Sequence, residues 1–71
     1  MQLIIPELDI TLTVGDTVRL GRFDTDTWTV CYGWYAWGGN RRVCGWYLRN
    51  NLTQAIKPLQ YEDVEDIYII E

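Results

Sequence analysis

The chain has 71 residues with 48% hydrophobic and 14% aromatic residues, six Lys and Arg against ten Asp and Glu, and a formal net charge of −4. Length limits it to one domain with a marginal core, and the apolar fraction excludes a disordered chain. The acidic balance argues against duplex DNA or an anionic membrane as partner, since both reward clustered positive charge.

Leu3-Ile4-Ile5 is a short apolar run closed by Pro6, which reads as a stub or edge strand. Residues 1–12 are expected to form an N-terminal strand or arm of a single domain spanning 1–71. The start lacks the basic and long apolar regions of a signal peptide, and no run approaches the roughly 18 apolar residues of a membrane helix. The expectation is a cytoplasmic protein, with no membrane partner. Ile10, Leu12 and Val14 alternate with threonines at the period of a strand. Gly15-Asp16 gives a turn, and Thr17-Val18-Arg19-Leu20 resumes the alternation. Arg22 to Asp26 is a polar loop around Phe23.

Thr27 to Trp37 is rich in the β-branched and aromatic residues that suit a pleated surface. Gly38-Gly39-Asn40 is the strongest turn signal, because these residues tolerate positive φ. Arg41 to Arg49 forms the return strand, and Asn50-Asn51 is another turn. Thr53 to Leu59 reads as a strand with Lys57-Pro58 at its edge or end. Gln60 to Glu65 reads as one helical turn with Tyr61 and Val64 on one side, and Asp66 to Ile70 as a last strand. About five short strands at close spacing point to an all-β barrel or sandwich.

GDTVRL (Gly15 to Leu20), a long hairpin, a further short strand, one helical turn and a closing DIYII (Asp66 to Ile70) resemble the layout of an SH3-like small β-barrel, with Tudor-like and KOW-like barrels sharing the GDxV opening. The resemblance covers roughly residues 13–71. It implies a fold that binds peptides, proteins or nucleic acids and seldom catalyses. Size, acidity and dense aromatics are also similar to small phage and prophage proteins. That likeness implies an accessory or structural component, placed in host cytoplasm or virion.

The phrase VCYGWY (Val30 to Tyr35) returns as VCGWY (Val43 to Tyr47). A three-residue loop at Gly38-Gly39-Asn40 would set Trp37 against Arg41, Tyr35 against Val43, Gly33 against Gly45, Tyr32 against Trp46 and Trp28 against Asn50. One face then carries Trp28, Val30, Tyr32, Trp34, Cys44, Trp46 and Leu48, apolar enough to be core. The other carries Thr29, Cys31, Gly33, Tyr35, Trp37, Arg41, Val43, Gly45, Tyr47 and Arg49. The repeat is then two strands meeting the same demands. A one-residue slip, or a bulge at Tyr32, would exchange the faces of one strand. The cysteines fall on opposite faces in this register and read as two buried free thiols rather than a disulfide.

Gly33 opposite Gly45 leaves a notch. Either the sheet kinks there and neighbouring rings cover it, or it is a shallow groove rimmed by Arg41 and Arg49. The candidate binding residues are Gly33, Tyr35, Trp37, Arg41, Arg42, Gly45, Tyr47 and Arg49, because Trp, Tyr and Arg dominate binding hot spots. The competing reading makes some rings core and stacks Arg41 or Arg42 on Trp37. Five acids stand in the last ten residues: Glu62, Asp63, Glu65, Asp66 and Glu71. They read as a helix start and a solvated face, or as a phosphate mimic.

The chain contains no His, and no nucleophile motif, P-loop or metal-ligand spacing is visible. Asp24 and Asp26 read as turn chemistry. The expectation is a non-catalytic binding module with no cofactor and no metal. Its partner is another protein or a second copy, through the rings and arginines. Binding of single-stranded nucleic acid by stacked rings and Arg, and acidic mimicry that inhibits a host protein, are the alternatives.

Overall fold

The computed structural model describes residues 1–70; Glu71, the last of the acids named above, lies outside them. Seven strands form in chain order: β1 (Gln2–Ile5), β2 (Ile10–Thr13), β3 (Thr17–Arg19), β4 (Trp28–Ala36), β5 (Arg42–Asn50), β6 (Ile56–Pro58) and β7 (Tyr68–Ile70). One helical turn, α1 (Tyr61–Glu65), precedes β7. Five strands make a curled antiparallel sheet in the order β6-β5-β4-β3-β7, and β1 and β2 make a separate two-stranded ribbon. The result is a small all-β, barrel-like fold with one helical turn before the last strand.

The alternation read from the sequence sets which residues reach the centre. Leu12, Val18, Val30 and Leu48 are fully buried, and Ile5, Val64 and Ile67 complete the core. These seven come from six different elements and from the residue before β7. The N-terminal segment therefore does more than form an edge. Pro6 ends β1 in a short 3-10 turn, Asp9 takes a left-handed conformation, and the chain returns as β2. This brings Ile5 and Leu12 over the open side of the five-stranded sheet.

The long hairpin has the register read from the sequence. Trp28 is opposite Asn50, Tyr32 opposite Trp46, Gly33 opposite Gly45 and Ala36 opposite Arg42. Gly38 and Gly39 both take positive φ in the connecting loop, which the Trp37 amide closes by donating to the Arg41 carbonyl at 2.9 Å. At the other end Asn50 is buried and holds the following turn. Its Oδ1 accepts from the amides of Leu52 and Thr53, both at 2.9 Å, and its Nδ2 donates to Asp26 Oδ2. Asn50 thus locks a turn from a strand position instead of standing in it. Asp24 Oδ1 accepts from the Asp26 amide at 3.0 Å, a local turn bond.

Within α1, Asp63 has two structural partners: its carboxylate accepts from the Gln60 amide and pairs with Lys57 Nζ at 2.9 Å. Glu62, Glu65 and Asp66 are exposed. Val64 points into the core, and Tyr61, three residues earlier, lies beside it at the surface.

Candidate functional site

β4 and β5 are nine residues each, whereas their neighbours β3 and β6 are three. β3 reaches β4 only at Trp28 and Thr29, and β6 reaches β5 only from Tyr47 to Arg49. Beyond those contacts the two strands pair mainly with each other. The hairpin therefore has a base inside the sheet and a tip, Tyr32–Ala36 with Arg42–Trp46, that runs past it.

That division corrects the expected core face. Val30 and Leu48 are buried and Trp28 and Trp46 half-buried, as the alternation requires. Farther along the same face Tyr32 is 43% exposed and Trp34 64% exposed, and Cys44 is exposed too. The side chains point to the predicted face, but no layer of the fold lies over that part of it. Cys44 is accordingly an exposed thiol, not a buried one; Cys31 is half-buried, and both are free.

On this uncovered face the rings partner one another. Tyr32 meets Trp46 edge-on with centroids 5.3 Å apart, and the Arg42 guanidinium lies 5.7 Å from the Trp34 ring. Arg42 thus stacks on Trp34, not on Trp37. Trp34 and Tyr32 were absent from the candidate set because a ring at a core-facing position reads as core. The signal that would have found them is strand length: two nine-residue strands paired to three-residue neighbours run past the rest of the sheet.

The candidate residues separate into three groups. Trp37 and Arg41 sit exposed at the tip. Arg49 is exposed but lies at the base, opposite Thr29. Tyr35 and Tyr47 lean toward each other across the Gly33–Gly45 pair, with ring centroids 4.7 Å apart, and leave Tyr35 only 8% exposed. The notch is therefore roofed by two rings, but it is not filled. A Cβ added at Gly33 or Gly45 would meet no heavy atom within 4 Å. Burial pushes the Tyr47 hydroxyl above its ordinary pKa of 10.0, the adjacent Cys31 thiol adds to the rise, and Arg49 partly offsets it.

Next to Trp46 is an apolar cleft of about 280 Å³, lined by Leu3, Ile5, Leu59, Gln60, Tyr61 and Val64. It joins the uncovered ring face to the β1–β2 ribbon. Among the described residues, no three His, Cys, Asp or Glu side chains are grouped to hold a metal ion. No helix among them is long and apolar enough to cross a membrane.

By fold, then, the chain is a small all-β, barrel-like protein with a projecting aromatic hairpin. No family model, curated protein or solved structure matches it.

Proposed function

We propose that this chain is a non-catalytic module that makes protein–protein contacts, including contacts with copies of itself, through the tip of the β4–β5 hairpin. The observation that carries the reading is the uncovered ring surface there. Tyr32, Trp34 and Trp37 stand exposed next to Arg41 and Arg42. Large exposed rings grouped together are costly in water, and Trp, Tyr and Arg contribute most where interfaces bind tightly. Among the described residues the one salt bridge is Lys57–Asp63, so neither arginine is held in an ion pair and the Arg42 charge lies on the Trp34 ring.

The order of elements after Val14 supports an SH3-like layout: β3, the long hairpin, β6, α1 and β7 follow one another as in the resemblance. On that layout the protein is a binding component, of the kind small phage and prophage proteins supply, working in the cytoplasm of a cell or host.

The test is mass in solution by sedimentation, for the wild type and for Trp34→Ala with Trp37→Ala, across a range of salt. Both rings are exposed, so their loss should leave the fold intact. The expected outcome is wild-type association that hardly responds to salt and a folded, monomeric double variant. Association unchanged in the double variant would overturn the reading. Co-sedimentation with a single-stranded oligonucleotide that weakens steeply with salt would assign the rings to nucleic acid instead.

A further inference from the structure

The backbone of the tip carries information that its side chains do not. Because the Trp37 amide bonds to the Arg41 carbonyl, the antiparallel alternation turns the backbone groups of Tyr35, Gly33 and Cys31 toward β5. Those of Val30, Tyr32, Trp34 and Ala36 turn the other way. At Val30 they are used: its amide donates to Asp16 O at 2.9 Å and its carbonyl accepts from Gly15 N at 2.8 Å. Past Val30 no strand is registered on that side of β4. Tyr32, Trp34 and Ala36 therefore present a row of unpaired donors and acceptors.

Three other strands of this fold carry the usual edge devices. β6 carries Lys57 and Pro58, β1 ends at Pro6, and β7 is three residues long and preceded by Asp66. The free edge of β4 has no such device, for Val30 to Trp37 contains neither a charge nor a proline.

Resting on the ring-surface reading above, we propose that the occupant of this edge is a second copy of the chain. Its β4 pairs antiparallel across a two-fold axis at Trp34. The residue sizes are self-complementary about that centre. Tyr32 falls beside Ala36 of the second copy, Tyr35 beside Gly33 of the second copy, and Trp37 beside Cys31 of the second copy. Only Trp34 meets its own kind, as an axial residue does in an isologous interface. The slot at Gly33 is open, with nothing within 4 Å of a Cβ position. Charge agrees with this register. The tip of each copy, with Arg41 and Arg42, runs toward the Gly15–Asp16 turn that abuts Val30 of the other copy. That turn carries an acid and no base.

Three preparations test the edge directly. One is prepared by synthesis with the Trp34 amide methylated; that amide makes no bond within the monomer. The second is Ala36→Tyr, which fills the space beside Tyr32 of the second copy while altering an exposed position. The third is a mixture of Tyr32→Cys with Ala36→Cys, each in a Cys31→Ser, Cys44→Ser background. Sedimentation should give a wild-type dimer. Its dissociation constant should rise at least about tenfold in the first two chains, with near-ultraviolet circular dichroism unchanged. On oxidation the mixture should form a disulfide dimer that neither cysteine variant forms alone, since paired Cα atoms in this register lie within disulfide reach.

A wild type that remains monomeric at about 1 mM overturns the proposal. So does a methylated chain that dimerises like the wild type. If that chain is unaffected while Trp34→Ala with Trp37→Ala abolishes association, edge pairing falls and the ring surface stands. If neither changes association, both readings fall.

Discussion

The base and the tip of the β4–β5 hairpin have the same sequence pattern and opposite fates. At the base, Val30 and Leu48 face each other and are fully buried. Four pairs farther on, Trp34 faces Cys44 on the same side of the sheet and both are exposed. Alternation decides which way a side chain points. Burial depends on whether another element lies over it, and the β1–β2 ribbon, α1 and the short flanking strands cover only the base. An apolar residue at the base therefore stabilises the fold. One on the uncovered face of the tip is available to something else.

The sharpest way to break this comparison is to truncate both ends. Leu48→Ala should cost about 2–5 kcal/mol, because it opens a cavity in a core formed by seven residues. Trp34→Ala, although it removes more atoms, should change stability by about 0.5 kcal/mol, the scale of its exposed stack with Arg42. Urea unfolding of the two variants measures the difference. Equal losses would mean that the tip is covered and that the ring surface does not exist.

The paired glycines sharpen the contrast between conformation and space. Gly33 has φ +148°, which side chains rarely adopt, whereas no positive φ is found at Gly45. Both have open space around a Cβ position. Gly33→Ala should then cost about 1–2 kcal/mol through backbone strain, and Gly45→Ala should stay within about 0.5 kcal/mol. Thermal melts of the two variants distinguish them. Equal costs would place the demand for glycine in packing beneath the Tyr35–Tyr47 roof.

The smallest expected effect is one of pH. The Tyr47 hydroxyl is held above its ordinary pKa of 10.0 by burial first and by Cys31 second. A folded-state value above the unfolded one favours the protonated form. Its contribution is complete below about pH 10 and is lost as pH rises through the folded value. Tyr47→Phe should therefore lose less stability than the wild type as pH rises above about 10. Parallel alkaline unfolding curves for the two would mean that folding does not hold the Tyr47 proton.

Much of the fold was legible because short-range chemistry specifies it. Gly38-Gly39-Asn40 fixed the hairpin loop, and the loop fixed the register for all nine pairs. Pro6, Lys57-Pro58 and the Tyr61–Val64 spacing marked where strands stop and the helical turn begins. The candidate site was legible only in part. Trp37, Arg41 and Arg42 flank the loop, read as surface and are exposed. Tyr35 and Tyr47 pack on each other, which depends on two side chains leaning across a glycine pair. Trp34 was read as core because its neighbours in sequence share its alternation.

The sequence by itself therefore placed the strands and turns and the hairpin register that the structure shows, with Thr53 to Leu59 shortened to Ile56–Pro58 and Asp66 to Ile70 to Tyr68–Ile70. These follow from φ preferences and the two-residue period of a strand, which act over a few bonds. Only the tertiary structure decided how far the covering layer extends. It placed Ile5 and Leu12 over the base, ended β3 and β6 short of the tip, and left Tyr32, Trp34 and Trp37 in water. Coverage is a property of elements distant in the chain, and no local pattern in β4 or β5 contains it.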